Sequence, residues 1–196
     1  KIKFLDSIEF NNISFRYKDS EDFILKDINL KIKKGKFLGI KGNSGSGKTT
    51  FLNILSGLEN PTNGNFTIDG KKINKANVNS WFNLVSYVPQ RIFLFNASIE
   101  ENVVLDKDVK DEELKKIIDT SSLSKFIENK EFNYKEVIAE NNTNISGGQI
   151  QRIGIARALV KQPDIVILDE TTSGMQINME KDIILKIKKN YPHITL

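Results

Sequence analysis

Apolar and polar residues alternate in the first third of the chain, which is the pattern of β-strands with one face in a core. The two alternating runs contain Ile8, Phe10, Ile13 and Phe15, and then Ile28, Leu30 and Ile32. Further along, Asn63-Gly64 and Asp69-Gly70 flank a short apolar run, and such dipeptides mark tight turns between strands. A small sheet is therefore predicted to open the chain.

Later segments carry the patterns of helices and of buried strands. Leu84 to Val88 and Ile165 to Leu168 are short apolar runs, and the second is uninterrupted, as in a parallel strand buried on both faces. Helical periodicity occurs in 50–58, from Ser98 to about Lys130, and in 150–160. Within the middle segment, Asp111-Glu112-Glu113 supplies the acidic residues that suit a helix N-terminus. The pattern favours an α/β fold.

Composition limits the class of protein. The 196 residues are 39% hydrophobic, which fits one domain with a single core. The net charge of +4 is spread over 29 basic and 25 acidic residues, so it suits an anionic ligand but forms no stripe for nucleic acid. The chain has no cysteine and no apolar run of about 18 residues, and its first residues, Lys1 to Phe10, lack the apolar centre of a signal peptide. It begins with lysine and stops within a strand-like stretch, so we expect a soluble piece of a longer polypeptide.

A glycine-rich loop is the clearest sign of chemistry. Its residues are Gly42-Asn43-Ser44-Gly45-Ser46-Gly47-Lys48-Thr49, and Thr50 continues into the helical pattern. Glycines let backbone N–H groups converge on phosphate oxygens, the following helix directs its positive end at them, and Lys48 supplies a cation. The hydroxyl of Thr49 is predicted to bind Mg²⁺. The apolar run 37–40 is interpreted as the strand that precedes such a loop, although a flexible turn could match the bare pattern by chance.

Two acidic residues follow the buried strand, and ligands collect where such strands end. Asp169 is predicted to hold Mg²⁺ through water, and Glu170 to accept a proton from the attacking water. A strand that simply meets solvent at an acidic turn is the alternative. The phosphate loop in the same chain favours the site.

A second anion-binding segment, Ser146-Gly147-Gly148-Gln149, stands at a helix start. Taken in order, the phosphate loop, this segment and Asp169-Glu170 resemble the nucleotide-binding domain of ATP-binding-cassette (ABC) proteins over nearly the whole chain. The resemblance implies a P-loop NTPase with a RecA-like parallel sheet core. It also implies an antiparallel β subdomain at about 1–75 and an inserted helical subdomain at about 92–161, in a domain that is cut short at its C-terminus.

The resemblance also implies roles for single residues. Tyr17 matches the aromatic residue on which adenine stacks, and Gln90 the glutamine that touches Mg²⁺ and the attacking water. The residues after Gln90, and the segment from Tyr134 to Asn144 with its acidic Glu140, resemble exporters.

The resemblance implies partners as well. In the family two domains pack head to tail, so Ser146, Gly147, Gly148 and Gln149 close over the ATP held by the phosphate loop of a second domain. A membrane-spanning domain would be fused upstream or form a separate subunit. The expected place is the cytoplasmic face of the membrane, with no nucleic-acid partner.

Some positions depart from the family pattern. Ser173-Gly174-Met175-Gln176 lacks the aspartate that communicates across the dimer. The family's switch histidine follows the strand in which this chain ends, whereas His193 stands before that strand and does not match it. Ala139 and Asn142 replace glycines of the exporter segment. Trp81, the only tryptophan, is expected in packing.

Two alternative functions remain. One is a regulator that binds ATP without hydrolysing it, and the other is a soluble cassette ATPase of DNA repair or chromosome organisation.

Overall fold

The computed structural model describes residues 1–128, 137–138, 145–170 and 177–196, without the side chains of 125, 128 and 177. These residues form two compact units, which are described one at a time. The first unit contains residues 1–86, 163–167 and 193–196, and the second contains 87–162 and 168–192.

The first unit contains a four-stranded antiparallel sheet. Its strands are β1 (Ser7–Phe15), β2 (Leu25–Lys33), β3 (Asn63–Ile68) and β4 (Lys71–Lys72), in the order β2-β1-β3-β4. Asp69 and Gly70 join β3 to β4 with φ values of 47° and 74°, as a tight hairpin requires. The predicted opening sheet and its turn are confirmed.

Several aromatic rings pack together in the core of the first unit. Helices α1 (Lys48–Ser56) and α2 (Val78–Phe82) contribute to it. The ring of Phe10 on β1 lies 4.8 Å from that of Phe51 and 5.0 Å from that of Phe66, centroid to centroid. Trp81 is 0% exposed, and its Nε1 donates to the carbonyl oxygen of Leu55 at 2.9 Å. The expectation that Trp81 is a packing residue is confirmed.

Two further strands, β5 (Val85–Val88) and β8 (Ile165–Leu168), pair with each other. The backbone N–H of Ile165 donates to Leu84 O, and that of Asp169 donates to Val88 O, so the register advances in the same direction along both strands. An isolated parallel bridge joins Ile165 to Thr195. Both strands were predicted.

The strand predicted immediately before the phosphate loop is not formed. Residues 37–40 carry no strand assignment. The N–H of Leu38 donates to Leu196 O at 2.8 Å and the N–H of Leu196 donates to Lys36 O at 3.1 Å, which is too short a pairing to form a strand. Leu38 and Ile40 are 40% and 41% exposed. The apolar sequence was misleading because a strand needs backbone partners along its length.

The second unit is mainly helical. Its elements are β6 (Ala97–Ser98), α3 (Ile99–Val104), α4 (Asp111–Thr120), α5 (Ser124–Glu128), β7 (Val137–Ile138), α6 (Gly147–Val160) and α7 (Ile177–Asn190). β6 and β7 form an antiparallel pair. The change to helix near Ser98 is confirmed, and α6 begins three residues before the predicted segment.

Asn102 and Arg157 organise the helical unit. Asn102 is 0% exposed, and its Nδ2 donates to the carbonyl oxygens of Phe95, Ala97 and Ser98. The guanidinium of Arg157, on α6, donates to Asn102 Oδ1 at 2.7 Å and to Phe93 O at 2.6 Å. Since buried polar groups need partners, this network fixes residues 93–98 against α6.

Several predictions fall on residues that the structure leaves undescribed. They concern Ser173-Gly174-Met175-Gln176 and, apart from 137–138, the exporter-like segment with Ala139, Glu140 and Asn142. His193 is exposed in the first unit. Within the described ranges, no helix combines the length and apolar character needed to cross a membrane.

Candidate functional site

The glycine-rich loop leads directly into the N-terminus of α1. Gly47 is the N-cap residue, with a φ of 86°, and Lys48 is the first residue of the helix. The Nζ of Lys48 donates to the carbonyl oxygens of Gly42 and Asn43 at 3.0 and 3.1 Å, so its cation lies over the loop. The backbone N–H groups of a first helical turn point along the axis toward the same place. The arrangement suits a phosphate group.

Close packing and backbone conformation both demand glycine at position 47. A Cβ there would lie 2.9 Å from Leu25 Cδ2 and 3.0 Å from Ile24 Cγ2, at a φ that L-residues rarely adopt. The start of β2 thus presses against the end of the phosphate loop.

Exposure separates the members of the loop. Residues 42–46 and Thr49 are exposed and therefore accessible to a ligand, whereas Gly47 and Lys48 are half-buried. Thr50 is 7% exposed and therefore lies almost entirely in the interior of the unit.

Tyr17 lies in the loop of residues 16–24 that joins β1 to β2. It is 45% exposed, and its ring meets the ring of Phe15 edge-on at 5.0 Å. It lines an open cleft of about 490 Å³ together with Arg16, Lys18, Asp19, Ser20, Glu21 and Thr62. Ile24, whose N–H donates to Phe15 O at 2.8 Å, also faces Gly47. The loop that contains Tyr17 therefore contacts the phosphate loop, through Ile24 and Gly47.

In the second unit, the acidic pair after β8 is bonded to residues of β5 and its continuation. The Nε2 of Gln90 donates to Glu170 Oε2 at 3.2 Å, and both residues are exposed. Glu170 has a φ of 49°, in the left-handed region that costs a non-glycine residue about 1–2 kcal/mol. Strain of this kind is found preferentially at functional sites.

The hydroxyl of Tyr87 donates to Asp169 Oδ2 at 2.6 Å. Burial, together with this bond to a carboxylate, raises the pKa of Tyr87 well above its usual value. The phenol therefore remains a donor at every physiological pH. The sequence analysis missed this contact, and the position of Tyr87 within the strand that pairs with β8 was the available signal.

The Ser-Gly-Gly-Gln segment forms the N-terminus of α6 through a capping box. The N–H of Gln149 donates to Ser146 Oγ at 3.3 Å, and the N–H of Ser146 donates to Gln149 Oε1 at 2.6 Å. Ser146 and Gly147 are exposed, and a Cβ on Gly147 would have no neighbour within 4 Å. Gly148 O accepts a bond from Arg152 Nε at 3.1 Å, one turn further on. A 14-residue helix thus presents its positive end to solvent.

The structure distributes the predicted residues over its two units. Tyr17 and the phosphate loop lie in the first unit, whereas Gln90, Asp169, Glu170 and the Ser146–Gln149 segment lie in the second. The donors proposed for Mg²⁺ are the Thr49 hydroxyl, the Gln90 amide and the Asp169 carboxylate, and such oxygen ligands fit that ion. Among the described residues, no group of three or more acidic, histidine or cysteine side chains is arranged so that it could hold a metal ion by itself.

Comparison with known families decides the class. The family described as ABC transporter matches residues 25–173, most of the chain. The chain belongs to the ABC transporter family. Its relatives place it with exporters.

Curated relatives of this ABC domain cover nearly all of it. It is 38% identical over 184 residues to an ATP-dependent lipid A-core flippase of Alkalilimnicola ehrlichii, a match spanning 93% of this chain and 31% of the flippase. It is 39% identical over 185 residues to a leukotoxin translocation ATP-binding protein of a Pasteurella haemolytica-like species, spanning 93% of this chain and 26% of that protein. The chain thus spans about a third or less of the length of these relatives.

A solved structure shows the same fold. It is that of a bacterial Atm1-family ABC exporter with ATP bound, which matches with a TM-score of 0.88 and 30% sequence identity. The match covers 99% of this chain and 35% of the exporter chain. The predicted P-loop NTPase fold of an exporter's ABC domain is therefore confirmed at this level.

Proposed function

We propose that this chain is the ATPase domain of an ABC exporter, which binds and hydrolyses Mg-ATP to drive transport across a membrane. The proposal depends chiefly on the phosphate loop, where Lys48 Nζ lies 3.0 Å from Gly42 O at the N-terminus of α1. Membership of the ABC transporter family, and relatives named as a flippase and a translocation ATP-binding protein, support it.

The nucleotide is proposed to bind from base to phosphate. Tyr17 stacks on adenine, which its exposed ring and neighbouring cleft permit. The backbone of residues 42–49 surrounds the β- and γ-phosphates, and Lys48 supplies positive charge. Thr50 contributes only backbone, because its side chain is buried.

Hydrolysis is proposed to depend on Glu170 as general base. Its carboxylate accepts a proton from water, the water oxygen attacks the γ-phosphorus, and the bond to the bridging oxygen breaks so that ADP leaves with the electron pair. Gln90, already bonded to Glu170, orients that water. Thr49, Asp169 and Gln90 are the proposed ligands of Mg²⁺, which supplies charge neutralisation to the phosphates when bound.

The exposed N-terminus of α6 is proposed to act on the ATP of a second copy. Ser146, Gly147, Gly148 and Gln149 would face the γ-phosphate held by the partner, so that ATP bridges a head-to-tail dimer. Loss of the γ-phosphate would remove the bridge and reopen the pair. A membrane-spanning domain, in the same polypeptide or a separate subunit, would receive this motion, with the ABC domain on the cytoplasmic face.

Phosphate release by the intact protein tests the proposal. Glu170→Gln should lower turnover by about 10²-fold or more while ATP binding persists, because the amide cannot accept the proton. Glu112→Gln, an exposed carboxylate on α4, is the matched control and should retain turnover.

Two other results would reject the proposal or its assignment. A parent protein that saturates with ATP but releases no phosphate would favour the non-hydrolysing regulator. Equal turnover in Glu170→Gln and the parent would remove the general-base role.

A further inference from the structure

Both acidic residues after β8 are bonded to a side chain from β5 or its continuation. Glu170 accepts from Gln90 at 3.2 Å, and Asp169 Oδ2 accepts from the hydroxyl of Tyr87 at 2.6 Å. The resemblance to ABC proteins supplied a role for Gln90. It supplied none for Tyr87, the third residue of β5.

The contact of Tyr87 constrains the carboxylate of Asp169. The terminal torsion of an aspartate is broad, so without a partner its two oxygens rotate readily. A hydroxyl bond of 2.6 Å is in the short range that is typical of bonds to a charged oxygen. The backbone of the same residue is also held, because its N–H donates to Val88 O at 3.1 Å. Asp169 is therefore tied to β5 at both its main chain and its side chain.

Fixed orientation matters for a group that binds a metal. A metal-binding side chain that loses the hydrogen-bond partner holding it samples more orientations, of which few suit the metal. Loss of such a partner commonly weakens metal affinity about 10–100-fold. The phenol bonds Oδ2 of Asp169, so the carboxylate is held with its other oxygen, Oδ1, directed away from the phenol.

We infer that Tyr87 is a positioning residue, which orients the Asp169 carboxylate toward Mg²⁺ and thereby sets how strongly Mg²⁺ tightens nucleotide binding. This inference rests on the proposed function, because it assumes that Asp169 is a magnesium ligand. Tyr87 does not itself touch nucleotide or metal in this scheme.

The test compares two tyrosine-to-phenylalanine variants of the intact protein. Tyr87→Phe removes the hydroxyl that donates to the carboxylate of Asp169. Tyr191→Phe is the matched control, because it removes a hydroxyl that donates to the carboxylate of Glu113 at 3.0 Å in the same unit. The readout is the dissociation constant of a fluorescent ATP analogue, measured in saturating Mg²⁺ and in EDTA. The constant in EDTA divided by the constant in Mg²⁺ gives the factor by which the metal tightens nucleotide binding, and it does not require turnover.

Tyr87→Phe should reduce this ratio by about 10-fold. Binding in EDTA should stay within about twofold of the parent, as should both constants of Tyr191→Phe. In an Asp169→Asn background, Tyr87→Phe should have no further effect on the ratio, because the carboxylate that it orients is gone.

Other outcomes overturn the inference and show where it fails. If the parent depends on Mg²⁺ but Tyr87→Phe keeps the parental ratio, Tyr87 has no positioning role and the proposed function stands. An equal reduction with and without Asp169 also contradicts the role, because the effect then does not pass through that carboxylate. A parent that binds no nucleotide with Mg²⁺ overturns the proposed function and this inference together.

Discussion

Gly47 connects the phosphate loop to α1 at a position where both space and backbone conformation exclude a side chain. Its φ is 86°, and a Cβ would meet Leu25 and Ile24 at about 3 Å. Gly70 in the β3–β4 turn also has a positive φ, 74°, but its Cβ would have no neighbour within 4 Å. Comparing alanine variants of Gly47 and Gly70 therefore separates the effect of backbone strain, which both share, from the effect of steric crowding, which only Gly47 has.

Gly47→Ala should therefore weaken ATP binding by about 10-fold or more, because the loop must shift away from β2 and its N–H groups lose their convergence. Gly70→Ala should lower the stability by about 1 kcal/mol without changing ATP affinity. Titration with a fluorescent ATP analogue and thermal melting of both variants provide the measurements. Unaltered affinity in Gly47→Ala would show that loop geometry does not govern binding.

At the scale of elements, two helices of the second unit begin with the same capping box. Ser98 and Glu101 cap α3 through bonds of 2.7 and 3.1 Å, and Ser146 and Gln149 cap α6 through bonds of 2.6 and 3.3 Å. Local sequence explains both. Only the N-terminus of α6 is exposed and followed by two glycines, whereas Ser98 is buried.

Ser98→Ala and Ser146→Ala should each lose about 1 kcal/mol of stability, since each removes an N-cap oxygen. If Ser146 serves the ATP of a partner domain, its variant should also lose most of its turnover while retaining ATP binding by the monomer. Ser98→Ala should keep turnover. Equal turnover losses in the two variants would assign the effect to helix stability.

The turn between β3 and β4 is tied to the chain before β1 by one carboxylate. Asp69 accepts backbone N–H bonds from Leu5, Asp6 and Ser7 at 2.7 to 2.9 Å. Partial burial alone would raise the pKa of Asp69, but the backbone bonds and nearby Lys34 outweigh it and hold the pKa below its usual value of 3.8.

Asp69→Asn should lower the free energy of unfolding at pH 7 by about 1–2 kcal/mol, because one acceptor oxygen becomes a donor. The folded-state pKa lies below the unfolded value, so this contribution is present above pH 3.8 and disappears as the pH falls through the folded-state pKa. Denaturant melts of parent and variant should converge in acid. The exposed Asp106→Asn serves as control, and a constant gap at every pH would contradict the account.

At the scale of the whole molecule, a ligand that binds only the folded state stabilises that state by mass action. ATP at 100 times its dissociation constant should raise the free energy of unfolding by about 2.7 kcal/mol. Lys48→Ala should abolish the corresponding rise in melting temperature, while Lys71→Ala, exposed on β4, should preserve it. A rise of the same size in both variants would place ATP elsewhere on the protein.

The local elements were largely predictable from sequence. Alternation gave β1 and β2, the Asp69-Gly70 pair gave the hairpin, and the uninterrupted run 165–168 gave β8, since each pattern expresses a short-range preference of the backbone. Residues 37–40 carried a strand-like pattern and were predicted incorrectly. Their state depends on backbone partners distant in sequence, which a local pattern does not contain.

Sequence by itself determined the family of this protein, because the order of the phosphate loop, Ser146–Gln149 and Asp169-Glu170 is a linear property of the chain. Only the tertiary structure decided which side chains support those groups. The bond from Tyr87 to Asp169 joins positions 82 residues apart, and the Asn102–Arg157 network joins positions 55 apart. Such contacts arise from the pairing of strands and the packing of helices, so their distances and directions exist only once the chain has folded.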